Sequence, residues 1–248
     1  DMNRVLSIGR NGVDLFFVIS GFCMYLMYHK KAENFSIVNY TEFLVKRWRR
    51  IAPAFYVLVI IEALVYFARV HQFPFLDFFA HITFSSIFLA KNEFSPHYWS
   101  LATEWQFYLV LPFIFLFAGK SQDVVRNTLY VIFLCMICRM YLYYQHQDDL
   151  LNKITVMSEP IWYRFVEFGF GMLAAILYLK NFRLPSVLAG SIGLLIGIII
   201  ALLGRVFMLT EFIRLFGEYA YIIAAFAEPV MTFGFALILY NVITTQSI

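Results

Sequence analysis

Residues 95–113 read SPHYWSLATEWQFYLVLPF, a run apolar enough to lie within a bilayer that nevertheless carries a carboxylate, Glu104. On a helix of 3.6 residues per turn, His97, Ser100, Glu104 and Tyr108 fall at i, i+3, i+7 and i+11 and share one face. Leu101, Trp105 and Leu109 point the other way, towards lipid or a neighbouring helix. An acidic side chain near the middle of a membrane costs roughly 3 kcal/mol on insertion scales, so it faces protein or water and serves a site. The structural alternative is an ion pair with an arginine on another helix that holds a bundle together.

The rest of the chain has the same character. Hydrophobic residues make up 62% of the 248, charged ones 14%, and the mean hydropathy is +0.74. A soluble domain carries roughly 25% charged residues, so the composition indicates an all-α, polytopic transmembrane helix bundle. No linker divides it, and a single membrane domain over residues 1–248 is expected. The residues before Asn11 lack the short basic-then-apolar pattern of a secretory signal. A start at Asp1 suggests a piece of something longer. Cys135 and Cys138 have a redox or metal spacing, but no second pair or histidine accompanies them, and small packing residues on one helix are the better reading.

The first apolar run, Gly12–Tyr28, is just long enough to cross a core of about 30 Å. Asn11 can cap it, leaving Asp14 as a first-turn acid favoured by the helix dipole. Asp14, Val18 and Gly21 share a face, and Gly21 would admit a neighbouring helix or a ligand. A polar segment, His29–Arg50, ends in KRWRRIAP and runs into a second span, Ile51–Val70. Phe73–Ala90 is broken by Asp77, His81, Thr83, Ser85 and Ser86 and reads as a short re-entrant or interfacial helix. Further spans are expected at about 98–118, 128–144, 161–179, 185–203 and 219–240. Val206–Gly217 is amphipathic and reads as a surface segment. Gly190, Gly193 and Gly197 form a packing line on their span.

Charge asymmetry orients these spans. With His29–Arg50 inside and Phe73–Ala90 uncrossed, the Lys120/Arg126 and Lys180/Arg183 turns also fall inside. The acidic loop with Asp148, Asp149 and Glu159 falls outside. The basic cluster has two readings: a signal of orientation alone, or Arg47 and Arg50, one helical turn apart, holding the phosphates of a nucleotide-like cofactor. Within the later spans, Arg164 and Glu167 at i, i+3 could neutralise each other, and Arg139 could meet Glu104 or Asp14 from another helix.

Four stretches, GVDLFFVISGF, KRWRRIAP, HYWSLATEWQFYLVLP and YRFVEFGFGMLAA, in this order resemble acyltransferase family 3. These are integral membrane O-acyltransferases acting on surface carbohydrates, and the similarity runs from about Asn11 to the end. The resemblance implies an acyl-CoA donor, usually acetyl-CoA, reaching the protein from the cytoplasmic side, and an acceptor hydroxyl on the outer side. It matches Arg47 and Arg50 to the family's paired donor arginines, Glu104 to the acid of W-S-L-x-x-E, and Asp14 and Ser20 to G-V-D-L-F-F-x-x-S-G. The family's first helix, with its arginine and histidine, and its closing helices have no counterpart here. The chain is therefore expected to be the central part of that fold.

Acyl transfer to a carbohydrate hydroxyl is the expected function, with Glu104, Asp14 and Ser100 as candidate catalytic residues and Arg47, Arg50 and Ser20 as donor-binding ones. Acyl-CoA, a carbohydrate acceptor and the lipid bilayer are the expected partners. Neither a metal nor nucleic acid is called for, and a bacterial inner membrane is the expected location. Two rivals remain open: a transporter or flippase of a lipid-linked or acyl species, and a catalytically inactive form of the same fold.

Overall fold

Ten α-helices follow one another in a computed structural model that describes residues 2–29, 37–89, 98–116, 121–146 and 159–246. They are α1 (Met2–Tyr28), α2 (Ile37–Val70), α3 (Phe75–Ile82), α4 (Ser86–Leu89), α5 (Trp99–Leu116), α6 (Ser121–Gln145), α7 (Ile161–Leu179), α8 (Gly190–Phe207), α9 (Thr210–Arg214) and α10 (Ala220–Gln246). No strand occurs among the described residues, and the chain is an all-α polytopic protein. Expectations for Lys30, Lys31, His97, Lys120, Asp148 and Asp149 lie outside the described residues.

Among the described residues, six segments are long and apolar enough to cross a membrane: Asn11–Tyr28, Tyr40–Val70, Asp123–Gln145, Ile161–Leu179, Gly190–Phe207 and Gly217–Thr245. This makes the protein a multi-pass membrane protein. Helix α5, with 18 residues, reaches about 27 Å, long enough to cross. Glu104 and Gln106 lower its hydropathy, and it is not among the six.

Several boundaries differ from the sequence expectation. Helix α1 begins at Met2, so Asn11 lies inside it rather than capping it, and Asp14 stands mid-helix. Likewise, α2 starts at Ile37, well before the expected span at Ile51, so the basic KRWRR run lies inside the helix it was expected to lead into. An apolar run marks where hydrocarbon begins, while helical hydrogen bonding continues into the polar flank. Pro185 opens a single 3-10 turn, Ser186–Leu188, and the next span starts only at Gly190. The Phe73–Ala90 stretch forms two short helices, α3 and α4, separated at Phe84, which has φ +55°.

The chain packs as two compact units. One comprises Asp1–Glu33, Phe117–Ser158 and Trp162–Ile248; the other comprises Asn34–Leu116 and Glu159–Ile161. In the first unit, glycines set the helix contacts. A Cβ on Gly171 would lie 1.9 Å from the Val18 carbonyl oxygen, and one on Gly21 would lie 2.1 Å from that of Phe168. Backbones can approach this closely only without side chains between them. Phe17 stacks on Phe168 at 4.5 Å, and Phe22 lies 6.1 Å from Tyr178. Asp14 meets Arg164, Phe17 meets Phe168 and Phe22 meets Tyr178, so α1 and α7 run parallel, and the two glycine contacts mark where they cross. Between α8 and α10 the order reverses: Gly193 meets Asn241, Gly197 meets Ile238, and Gly204 meets Met231. These two helices are antiparallel. Gly190, expected in this packing line, instead begins α8 at φ +61° with open space around it. The line continues through Gly204.

The second unit is built on aromatic contacts. Phe55, Phe84, Ala52, Val59 and Ala102 are buried together, with Phe55 stacked on Phe84 at 5.0 Å and Trp105 on the same ring at 5.3 Å. On the side of α5 expected to face lipid or a neighbouring helix, Trp105 is thus half-buried and Leu109 is exposed. Exposed apolar side chains such as Leu129, Phe133 and Ile137 on α6 are what a lipid-facing surface requires.

Candidate active site

In the second unit, α5 brings Glu104 and Tyr108 together one turn apart, and the Tyr108 hydroxyl donates to Glu104 Oε1. Helix α2 sets Arg47 against the same tyrosine. Its guanidinium carbon lies 5.8 Å from the centroid of the Tyr108 ring and 5.8 Å from that of Phe43. Phe43 in turn meets Tyr108 edge-on at 5.8 Å. All four side chains are buried. A guanidinium over ring faces gains cation–π attraction that grows when water is excluded, and its charge lies close to the Glu104–Tyr108 pair.

The rotation of α5 is fixed by its other polar residues. Thr103 Oγ1 donates to the Glu159 carbonyl at 2.6 Å, and Gln106 Oε1 accepts from the Ile161 backbone N–H at 3.0 Å. Ser100 is half-buried on α5. Arg50, one turn beyond Arg47, is exposed. The two arginines thus differ: one is anchored against rings, while the other is accessible.

The first unit holds a second constellation, with Asp14 at one end. Arg164 Nη1 donates to Asp14 Oδ1 at 2.6 Å and to Glu167 Oε1 at 3.2 Å, and its Nη2 lies 3.3 Å from Glu228 Oε1. Arg139 Nη2 donates to Glu228 Oε2, and its guanidinium lies over the rings of Tyr143 and Tyr163 at 5.6 and 5.5 Å. The five charged groups are at most 1% exposed and tie α1, α6, α7 and α10 into one ionic network. A cavity of about 40 Å³ beside Arg139, Tyr143 and Glu228 has room for a water molecule.

These geometries revise three expectations. Asp14 is an ion-pair partner of Arg164 in the middle of its helix, not a first-turn acid. Arg139 meets Glu228 rather than Glu104 or Asp14. The Arg164–Glu167 pair exists, yet Arg164 also engages two acids from other helices. Ser20 is buried on α1 in this same unit. Glu228 precedes Pro229 inside α10, a proline–acid pair in an apolar run that could have singled it out. Among the described residues, no group of three or more His, Cys, Asp or Glu is arranged to hold a metal.

Comparison with known proteins agrees with the motifs. A protein of Haemophilus influenzae without assigned function is 28% identical over 202 residues, covering 73% of this chain and 72% of that protein. The O-acetyltransferase OatA of Staphylococcus aureus is 28% identical over 146 residues, 51% of this chain and 24% of OatA. The exopolysaccharide production protein ExoZ of Rhizobium meliloti is 28% identical over 194 residues, 75% of this chain and 56% of ExoZ. The chain thus spans about a quarter of OatA and just over half of ExoZ. No solved structure matches. The acyltransferase domain family matches residues 2–247, nearly the whole chain, and the protein therefore belongs to that family and to the enzymes that transfer acyl groups other than amino-acyl groups.

Proposed function

We propose that the protein transfers an acyl group, acetyl in the first instance, from acyl-CoA to a hydroxyl of a cell-surface or lipid-linked carbohydrate in a bacterial inner membrane. The names of OatA and ExoZ support the acetyl group and the polysaccharide acceptor. The observation that carries the reading is the buried Arg47–Tyr108–Glu104 set. In such a transfer the thioester C–S bond breaks, an ester C–O bond forms, and the hydroxyl proton ends on the CoA thiolate. A carboxylate held by a tyrosine hydroxyl can orient a base or the acceptor hydroxyl, and Ser100 on the same helix can contribute a hydrogen bond. Arg50, exposed beside Arg47, suits the phosphates of CoA. Asp14, paired with Arg164, and Ser20 lie on α1 in the first unit.

Donor and acceptor on opposite faces require α5 to cross the bilayer. Parallel α1 and α7 need an odd number of crossings between them. Among the described residues, α2 and α6 supply two, and α5 has the length for the third.

The test is transfer of labelled acetyl from acetyl-CoA to membrane carbohydrate by the full protein, with Glu104→Gln and Arg50→Ala as variants. Glu104→Gln should remain folded and bind CoA normally while losing most turnover. Arg50→Ala should weaken CoA binding by about 1–3 kcal/mol, the scale of a lost charge-assisted hydrogen bond. Full turnover in the first variant and unchanged CoA affinity in the second would remove both residues from the site.

A further inference from the structure

A groove of about 220 Å³ runs between α7 and α10, away from both constellations described above. Its walls are two helical faces at i, i+3, i+4, i+7 spacing. Phe170, Leu173, Ala174 and Leu177 come from α7; Phe233, Ala236, Leu237 and Tyr240 come from α10. The small residues Ala174 and Ala236, both largely buried, leave the room. Phe170 and Phe233 meet edge-on at 5.6 Å and close one end, while Leu184 and Leu188 line the other.

No polar group is offered to an occupant inside. The Tyr240 hydroxyl, the only side-chain polar atom of the lining, already donates to the Phe182 carbonyl. The groove therefore suits hydrocarbon. At its open end the chain turns sharply after α7. Asn181 takes φ +49°, its N–H donates to the Tyr178 carbonyl at 3.0 Å, and the Phe182 N–H donates to the Leu177 carbonyl at 3.0 Å. Such a left-handed helix ending fixes the turn. It presents Lys180 and Arg183, both exposed and neither in an ion pair among the described residues.

An apolar slot inside a membrane-spanning pair, ending at a defined turn that carries two exposed cations, is complementary to an anionic amphiphile. We propose that this groove binds one anionic phospholipid, with an acyl chain between α7 and α10 and its phosphate against Lys180 and Arg183. Hydrocarbon transfer from lipid to a similarly apolar groove gives little selectivity, so the cations must supply the preference for anionic headgroups.

Native mass spectrometry of the full protein released from detergent tests this, with titration of phosphatidylglycerol and phosphatidylcholine of matched chains. One phosphatidylglycerol should be retained, with affinity about tenfold above phosphatidylcholine, an increment of about 1.4 kcal/mol. The double variant K180A/R183A should bring the two lipids to parity. Ala236→Phe should abolish retention by filling the slot, and Leu177→Phe, at the slot's edge, serves the same purpose if the former fails to fold. Equal retention of both lipids by the unaltered protein overturns the proposal, as does retention that survives filling of the groove. A third arm adds palmitoyl-CoA: its displacement of the phospholipid would assign the groove to an acyl donor chain instead.

Discussion

At the scale of single residues, the buried charges divide between the Arg164 network of the first unit and the Glu104 set of the second, for which catalysis is proposed. Arg164 contacts Asp14, Glu167 and Glu228 at once. Removing one partner of a buried pair strands the others, which costs about 3–5 kcal/mol, whereas replacing a whole network by apolar groups can be neutral. Arg164→Met should therefore destabilise strongly, and Asp14→Asn less, because Glu167 and Glu228 still face the arginine. The order should appear in thermal unfolding midpoints in detergent, and equal midpoints for both variants and the parent would deny the network a role in stability. Glu104 differs in kind. It was singled out from its place in an apolar run, and its shared face with Tyr108 was legible from helical spacing alone. That Arg47 would lie over Tyr108 was not, because it depends on how α2 and α5 pack.

At the scale of elements, glycines decide which helices can touch. Gly171 faces the α1 backbone, and a methyl group there would overlap the Val18 carbonyl, which cannot move aside as a flexible side chain could. Gly12 on the same unit has nothing within 4 Å of a built Cβ. Gly171→Ala should cost roughly 1–3 kcal/mol through overpacking. Gly12→Ala should be neutral or stabilising by up to about 1 kcal/mol through helix propensity. Comparing the two unfolding midpoints checks this, and a Gly171→Ala protein as stable as its parent would mean that α1 and α7 do not meet as described. Helix α2 carries a related lesson. Its polar turns, with Lys46, Arg47, Arg49 and Arg50, lie ahead of the apolar span because hydropathy reports the solvent of a residue and not its backbone hydrogen bonds.

At the scale of the whole molecule, the alternation of spans can be read out directly. A cysteine at Glu218, an exposed site between α9 and α10, should react with an impermeant thiol reagent in intact cells, and one at Arg183 should not; labelling of the second but not the first would reverse the donor and acceptor faces. The sequence by itself determined the all-α membrane class, the approximate spans, the basic and acidic asymmetry and the family, since each follows from local composition, periodicity or motif order. It also marked Arg139, Arg164 and Glu167 as charges inside apolar spans that want partners. Only the tertiary structure decided who pairs with whom. Asp14 and Arg164 are 150 positions apart, as are Arg139 and Glu228 by 89, and no local pattern encodes a partner at such distance. The pairing is set by which helix faces can approach, through Gly21 on Phe168 and Gly171 on Val18, and that fit is a property of packed surfaces rather than of any one stretch of chain.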